Sequence, residues 1–375
     1  MVTRLQKRIL LLILLSFSFI GLISHRQHDH VANQIWSSDS SFFHCHCGIN
    51  DAEIMQQQVS WNLNHQQKYV KLYFQDGINF TDTTCSLKSY LRGKGQKVIG
   101  FSYYGDSRSK HHQEKKYFEG IKSNLNLLPK FYPDWIIRLY YDPASSDDPV
   151  LPKLCHLSCS SGHLDLCDIQ RLPGTPKRNA TFVFPMNWRF FPTLDPQVEI
   201  YLSRDLDSEF NDREIAAVKE WLDSSESFHM MRDHPLHGTE LLGSAWGVKL
   251  GKSIIRQKWR RAWSNGFHNE IMWKARNLTG PDQGFLTKFV WPWAKKDAMQ
   301  HDSYLCKKYA GTRPFPVRRR NETNNFVAAV VAQKQYIWKT CPEKCRPVEH
   351  KDWEQCWKHR EIHSDFWPRK VLRFF

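Results

Sequence analysis

The 375-residue sequence predicts an α/β domain in which a mostly parallel sheet is flanked by helices. Apolar, strand-like runs alternate with segments of helical periodicity, which is the order typical of parallel strands joined by crossover helices. Hydrophobic residues make up 41% of the chain and aromatic residues 14%, which is sufficient for a packed core. In doubly wound sheets of this kind, ligands bind at the carboxyl ends of the strands.

The N-terminus has the pattern of a membrane anchor. A basic segment, residues 1–8, precedes the uncharged run "ILLLILLSFSFIGLIS" at 9–24. As a helix this run would rise about 24 Å, which is short of a bilayer core of about 30 Å and long for a signal peptide. An uncleaved signal-anchor is favoured over a cleaved signal. The basic flank would stay in the cytoplasm, so we expect a single-pass type II protein of the Golgi (or ER) membrane with everything after Ser24 in the lumen.

Two features agree with a lumenal location. The sequence has N-x-[ST] sequons at Asn79, Asn179, Asn277 and Asn321, and it has 10 cysteines, which behind a secretory segment are better explained as disulfides than as free thiols. Their pairing cannot be derived from their spacing. The zinc-like set at the C-terminus, which consists of Cys341, Cys345, Cys356 and His359, is also better explained by disulfides.

The net charge of +15 favours either a phosphorylated donor or another anionic partner, or reflects only a solvated surface. Nucleic acid is not expected as a partner, because the basic residues are scattered and the lumen holds little of it. The composition divides the chain into a polar stem at 25–95, a folded domain at 96–335 and a basic, cysteine-containing extension at 336–375.

The elements of the folded domain follow in order. Strand-like runs occur at 97–106, 133–142, 164–169 and 198–207, and the segment "KKYFEGIKSNLNLLPKF" between the first two has helical spacing. "NDREIAAVKEWLDSS" predicts a helix that begins with a capping box, because Asn211 is followed three residues later by Glu214.

Three further segments complete the predicted domain. "FHMMRDHP" predicts a short strand that is ended by proline, and "LLGSAWGVKLG" at 241–251 predicts a glycine-rich loop. "GPDQGFLTKFVWPW" predicts a helix that stops before Pro292.

The segment "IYLSRDLDSEF" at 200–210 contains the most informative acidic pair. Asp205 and Asp207 lie two apart at a strand end, so both carboxylates can face the same side and bind one hard divalent cation. Such a cation neutralises charge on a departing diphosphate. The alternative for this three-residue pattern is an ordinary acidic turn.

The ordered motifs "WRFFPTLDP", "YLSRDLDS", "REIAAVKEWL", "HMMRDHPLH", "GSAWG", "PDQGFL" and "HDSYLC" resemble GT-A-fold nucleotide-sugar glycosyltransferases over about residues 96–335. The resemblance implies that Asp205 and Asp207 hold Mn2+ (or Mg2+) on the donor diphosphate, with His301 as a third ligand. The alternative for His301, which precedes an Asp-Ser turn, is a surface or capping residue. An imidazole ligand would favour Mn2+ over Mg2+. It also implies a nucleotide-sugar donor and a glycan, glycoprotein or glycolipid acceptor.

Further residues are candidates for binding the donor. Arg189 and Arg204 are predicted to contact phosphates, although each could instead pair with a carboxylate inside the protein. Tyr103, or its neighbour Tyr104, is a candidate for stacking on the nucleotide base, and the alternative is a core aromatic. A predicted sugar-binding floor takes in His234, Gly243 and Trp246, where a small residue permits close approach of the backbone to a sugar; the alternative is a hydrogen-bonded turn.

The resemblance also implies that the lumenal domain is catalytic and that an acidic residue contacts the donor sugar or acts as the catalytic base. Asp282 and Asp233 are the two candidates, and Gln283 is predicted to contact the donor. Asp282 could equally be only a helix cap. A base must lie within hydrogen-bond reach of the acceptor hydroxyl, which the sequence does not decide. The alternatives to a transferase are a metal-dependent phosphotransferase or hydrolase, which needs more acidic ligands, and a catalytically inactive, glycan-binding relative.

Overall fold

A computed structural model describes residues 83–105, 114–142, 148–173, 179–273, 280–319, 326–330 and 339–353. These residues all belong to one compact unit. Within these ranges no helix is both long and apolar enough to cross a membrane. The predicted anchor at 9–24 lies outside the described residues.

One sheet of eight strands forms the centre of the fold, in the order β3-β2-β1-β4-β6-β5-β7-β8. Every strand pair is parallel except those that β6 makes with β4 and β5. The carboxyl ends of all strands but β6 therefore lie at one edge, which we call the carboxyl edge. The strands are β1 Gln96–Tyr103, β2 Ile136–Tyr141, β3 Leu164–Asp168, β4 Val198–Ser203, β5 Phe228–Arg232, β6 Trp246–Lys249, β7 Ala298–Asp302 and β8 Thr312–Arg313.

The predicted mostly parallel α/β architecture is confirmed, with one correction at β6. The segment 241–251 was expected to be a loop because of its glycines, yet Trp246–Lys249 is an antiparallel strand inside the sheet. Gly247 belongs to this strand because a side chain there would overlap the Leu202 side chain of β4. Glycine therefore marks close packing of two strands here rather than a turn.

Helices flank the sheet. They are α1 Leu87–Leu91, α2 Glu114–Phe131, α3 Val150–Ser160, α4 Asp212–Leu222, α5 Ser253–His268, α6 Pro281–Phe285 and α7 Trp291–Ala294. The first half of the capping box predicted for α4 is present, because the Asn211 side chain accepts a hydrogen bond from the Glu214 backbone N–H at 2.9 Å. The Glu214 carboxylate instead accepts from Arg204 Nε at 2.7 Å and from the Tyr132 hydroxyl at 2.8 Å. The helical path of 281–294 does not stop before Pro292, because this proline lies in the first turn of α7, where its missing N–H costs no hydrogen bond.

The core is rich in aromatic side chains and is fastened to the segment before β1. The chain at Pro185–Leu194 forms a 3₁₀ segment that contributes buried aromatic residues to this core. Part of the expected stem belongs to the same folded unit: the Cys85–Cys167 disulfide joins it to β3, and the Thr84 N–H donates to buried Asp195 at 2.7 Å.

Candidate functional site

The two aspartates of the D-x-D sequence follow β4 directly at the carboxyl edge. The Asp205 side chain is 41% exposed and the Asp207 side chain 14%. The Ser208 N–H donates to the Asp205 carbonyl at 3.2 Å, so the pair lies in a tight turn. Burial raises the pKa of Tyr117; Lys116 lowers it, and Asp207 and Asp205 raise it further.

A buried arginine links this turn to a second carboxylate. Arg189 forms an ion pair with Asp205 through one guanidinium nitrogen, and through the other it bonds Asp282 at 2.7 Å. The side chains of Arg189 and Asp282 are only 7% and 5% exposed. The arginine therefore connects the end of β4 to the first turn of α6. Arg189 was expected to contact either a phosphate or a carboxylate inside the protein, and the structure shows the contact with carboxylates.

Tyr104 lies beside this ion-pair cluster and is 38% exposed, whereas its neighbour Tyr103 is buried in the core. Its ring packs edge-on against Trp188, with the ring centroids 6.0 Å apart. Burial of the hydroxyl raises the pKa of Tyr104 to about 12; Arg189 opposes this shift and nearby carboxylates add to it. Of the two tyrosines considered for base stacking, Tyr104 is the one with an accessible ring near the D-x-D turn.

Asp282 is a member of the cluster and not a helix cap. The residue at the cap position of α6 is Gly280, whose φ is 65°, and no side chain caps this helix. Burial is the main cause that raises the pKa of Asp282; Arg189 lowers it and Asp205 raises it further. A carboxylate with a raised pKa is a better proton acceptor than an ordinary one.

Gly243 and Gln283 lie next to the ion pair of Arg189 with Asp282. A Cβ at position 243 would overlap an Asp282 carboxylate oxygen and would lie 2.7 Å from Nη2 of Arg189, so a larger residue there would displace the ion pair. The Gln283 amide contacts Thr239 Oγ1 at 3.1 Å. We predicted that the small residue would permit close approach to a sugar; in the structure it permits close approach to the ion pair of the protein itself.

Helix α2 supplies two residues that the sequence analysis did not select. Lys116 bonds Asp207 Oδ2 at 2.6 Å, and Tyr117 lies next to it. Gly120 allows the helix to approach, because a Cβ there would overlap the Leu206 carbonyl within the D-x-D turn. The order of the elements could have indicated these two residues. A crossover helix that follows β1 begins at the carboxyl edge, so the side chains of its first turns lie on the side where ligands bind.

Arg204 points into the interior of the domain. Its Nε bonds Glu214 at 2.7 Å, and Nη1 donates to the carbonyls of Ser203 at 2.6 Å and Trp246 at 3.0 Å. Only 3% of its surface is exposed. The structure therefore uses Arg204 to fasten α4 to the sheet and does not bring it to the D-x-D turn.

Asp233 lies at the centre of a different buried network. Both oxygens are engaged: Arg213 bonds at 2.8 and 2.9 Å, Arg319 at 2.5 Å and Ser303 Oγ at 2.5 Å. Burial opposes the effect of the two arginines, which nevertheless hold the pKa of Asp233 well below its usual range. The structure does not join Asp233 to Asp282, and a carboxylate with this environment is a poor proton acceptor.

The contacts of His301 are with residues other than Asp205 and Asp207. Its Nδ1 and the Nε2 of His229 are 2.9 Å apart, and its own Nε2 lies 3.1 Å from Glu220 Oε2. Both ring nitrogens are thus engaged, so the expected third ligand is not brought to Asp205 and Asp207. In the part of the chain that is described, no group of three or more His, Cys, Asp or Glu side chains is arranged to hold a metal ion.

The two remaining candidates of the predicted sugar-binding floor pack inside the protein. Trp246 is fully buried and stacks on Trp259, with ring centroids 5.3 Å apart. His234 is 6% exposed and accepts a hydrogen bond from the Leu236 N–H at 3.1 Å. Its ring also contacts Phe326, with centroids 4.7 Å apart.

Together these contacts define an α/β protein with a cluster of charged and aromatic side chains at the carboxyl edge of its sheet. No family model matches the chain, and no characterised protein sequence does. Among solved structures, the apo form of mouse xyloside xylosyltransferase 1 is similar, with 10% sequence identity and a TM-score of 0.31. The similarity covers 56% of this chain and 85% of that one. A similarity at this level does not identify a function.

Proposed function

We propose that the protein is a nucleotide-sugar-dependent glycosyltransferase that moves a sugar to a hydroxyl of a glycan, glycoprotein or glycolipid. The observation that carries this proposal is the cluster in which Arg189 joins Asp205 of the D-x-D turn to Asp282. This cluster lies at the carboxyl edge of a mostly parallel sheet, where such folds bind their ligands.

In this proposal the carboxylate oxygens of Asp205 and Asp207 would hold a divalent cation. These carboxylates are paired with Arg189 and Lys116, so a bound cation would take the place of a protein cation beside each of them. Two carboxylates together with substrate phosphates are a sufficient set for Mg2+, and Mn2+ accepts the same ligands. The preference for Mn2+ depended on His301, and without it the two cations are equal candidates. When bound, the cation neutralises charge on the departing diphosphate.

The side chains around the turn provide the rest of a donor site. Lys116 and Arg189 are paired with Asp207 and Asp205, and they would contact the anionic diphosphate once a bound cation occupies those carboxylates. Tyr104 offers an accessible ring for stacking on the nucleotide base, a role first assigned to Tyr103 or Tyr104. Gly243 lies against the ion pair of Arg189 with Asp282, and Gln283 contacts Thr239.

Asp282 is the proposed base. It would accept the proton of the acceptor hydroxyl as that oxygen bonds to the anomeric carbon, while the bond from that carbon to the diphosphate breaks and the diphosphate leaves with the electron pair. Asp282 suits this role better than Asp233, because burial raises the pKa of Asp282 while two arginines lower that of Asp233.

The remaining parts of the proposal concern location and alternatives. Residues 9–24 would anchor the chain as a type II protein of the Golgi (or ER) membrane, and the Cys85–Cys167 and Cys306–Cys345 disulfides suit an oxidising lumen. A phosphotransferase or hydrolase would need additional acidic metal ligands, and the described residues hold no group of three.

The test is a panel of nucleotide sugars offered to the purified full-length chain with Mg2+ or Mn2+. We expect hydrolysis of one donor that requires the cation and that Asp207→Asn abolishes. Asp223→Asn is the matched control, because Asp223 is an exposed carboxylate at the far end of α4. If no donor is hydrolysed and none raises the melting temperature, the transferase proposal fails.

A further inference from the structure

A turn between β3 and the 3₁₀ segment Pro185–Leu194 combines a glycosylation sequence with an exposed aromatic ring. The Val183 N–H donates to the Ala180 carbonyl at 3.0 Å, and both of these residues are fully buried. The Ala180 N–H also donates to the carbonyl of Ile169, next to the end of β3, at 2.9 Å. We call residues 179–183 the sequon turn, because they contain N-A-T, one of the four N-x-[ST] sequences. Its backbone is therefore fixed to the domain.

Asn179 is exposed, and the protein engages only the oxygen of its side-chain amide. This Oδ1 accepts hydrogen bonds from the Thr181 N–H at 2.9 Å and from the Thr181 hydroxyl at 2.6 Å. The amide nitrogen, Nδ2, has no hydrogen-bond acceptor among the described residues. N-linked glycosylation attaches a sugar to this nitrogen and requires a hydroxyl side chain two residues later. The folded turn therefore leaves the acceptor atom free to carry a glycan at the surface.

An exposed aromatic ring lies in the same turn. Phe182 is 43% exposed, and its ring contacts Phe267 of α5 with the centroids 5.8 Å apart. Three residues span at most about 11 Å, so a sugar attached to Asn179 can reach the exposed part of the Phe182 ring. A pyranose has an apolar face of C–H groups, and covering apolar surface is favourable. The turn therefore provides both an attachment atom for a glycan and a surface on which its first sugar can pack.

We propose that Asn179 carries an N-linked glycan whose first N-acetylglucosamine packs on the Phe182 ring. In the modification a bond forms between Nδ2 and the anomeric carbon of this sugar, while the bond from that carbon to a lipid-linked diphosphate breaks. The diphosphate leaves with the electron pair, and the amide proton passes to a base of the oligosaccharide transferase of the secretory pathway. The glycan requires that the domain faces the lumen, and it is independent of any transferase activity of this chain.

The glycan stabilises the chain that follows the sequon turn. The carbonyl of Val183, the last residue of the turn, accepts a hydrogen bond from Trp188 Nε1 at 2.9 Å. Trp188 is fully buried in the core of the domain. A sugar that covers the Phe182 ring restrains the turn to which Trp188 is bonded, so the effect of the glycan is on the stability of the fold.

The first measurement is the occupancy of Asn179 in the full-length chain after expression in eukaryotic secretory cells. The denatured chain is treated with peptide-N-glycosidase in heavy-oxygen water, which converts a glycosylated asparagine into a labelled aspartate, and is then digested with trypsin. We expect the label at residue 179 in the tryptic peptide 179–189. Thr181→Ala should abolish this label, whereas Thr181→Ser, which keeps the hydroxyl, should retain it.

The second measurement is a cycle of melting temperatures on the full-length chain, solubilised in detergent. Asn179→Gln removes the glycan, and its effect is compared in the wild type and in Phe182→Ala, so that changes in the turn that do not involve the ring cancel. We expect Asn179→Gln to lower the melting temperature by about 2 °C more in the wild type than in Phe182→Ala. Ile254→Ala removes another exposed apolar side chain and is the matched control, in which Asn179→Gln should act as in the wild type.

Three results would overturn the proposal. The first is an unlabelled residue 179; if the other three sequons are unlabelled as well, the expected lumenal location fails with it, whereas the donor panel tests a separate property. The second is a label that persists in Thr181→Ala, because the sequon would then not direct the modification. The third is an equal effect of Asn179→Gln in the wild type and in Phe182→Ala, or an effect that Ile254→Ala reduces to the same extent, because the ring would then not be the surface on which the sugar packs.

Discussion

The ion pair between Arg189 and Asp282 yields the sharpest stability prediction. Arg189→Met removes the guanidinium and keeps an unbranched side chain of similar length. It leaves Asp282, which is 5% exposed, with an uncompensated charge. Breaking a buried ion pair by removing one partner costs about 3 to 5 kcal/mol. The second pair of Arg189, with Asp205, adds little, because Asp205 is 41% exposed and screened pairs contribute about 0 to 1 kcal/mol.

The expected loss is about 3 kcal/mol in the free energy of unfolding near neutral pH, since Asp282 can relieve part of the penalty by taking up a proton. The pKa of Asp282 is already raised in the folded protein, and Arg189 is the group that restrains the shift. A raised carboxyl pKa means that the penalty is complete above the folded-state pKa and disappears below the unfolded-state pKa. The variant should therefore recover stability relative to the wild type as the pH falls.

Urea unfolding followed by tryptophan fluorescence measures this at about pH 7 and about pH 5. The double variant Arg189→Met with Asp282→Asn is the control, because it removes the stranded charge and should regain most of the loss. Two results would refute the reasoning. One is a single variant within about 0.5 kcal/mol of the wild type, which is the range for surface substitutions. The other is a double variant no more stable than the single one.

Three further predictions follow from the same structure. Gly243→Ala should cost about 1 to 3 kcal/mol of stability, because its Cβ would overlap an Asp282 carboxylate oxygen; thermal unfolding measures it. Asp233→Asn should cost about 3 to 5 kcal/mol at neutral pH, because two buried arginines lose their counter-charge. The pKa of Asp233 is lowered, so its stabilisation exists above its unfolded-state pKa and is lost as the pH falls through the folded-state value; urea unfolding against pH shows whether the difference disappears in acid. Replacing Cys85 and Cys167 by serine should cost about 4 kcal/mol, because the cross-link closes a loop with a sequence separation of 82.

Each of these has its own control. Gly162→Ala is the match for the first, because a Cβ at Gly162 meets nothing within 4 Å, and equal losses in both variants would contradict the packing argument. For Asp233, a difference from the wild type that stays constant into acid would show that charge is not its cause. For the disulfide, an unchanged unfolding midpoint in the serine variant would contradict the loop-closure argument.

Local patterns were sufficient for the elements that depend on short-range chemistry. The apolar runs predicted β1 to β5, and the Asn211 side chain forms the hydrogen bond expected of a helix cap. The position of the D-x-D pair directly after a strand was also predictable, because the apolar run that predicts β4 ends just before the pair. The antiparallel strand β6 was not, because its glycine satisfies a steric need set by β4, a strand far away in sequence.

The charged side chains show most clearly what the sequence predicts and what only the tertiary structure reveals. The sequence by itself determined an α/β sheet with Asp205 and Asp207 at a strand end, since both depend on periodicity within a few residues. Only the tertiary structure decided the partners: Asp233 is held by Arg213 and by Arg319, which lie 20 and 86 residues away. Whether a carboxylate is a proton acceptor or a buried structural anchor depends on such distant charges, because desolvation and ion pairing act through space and not along the chain.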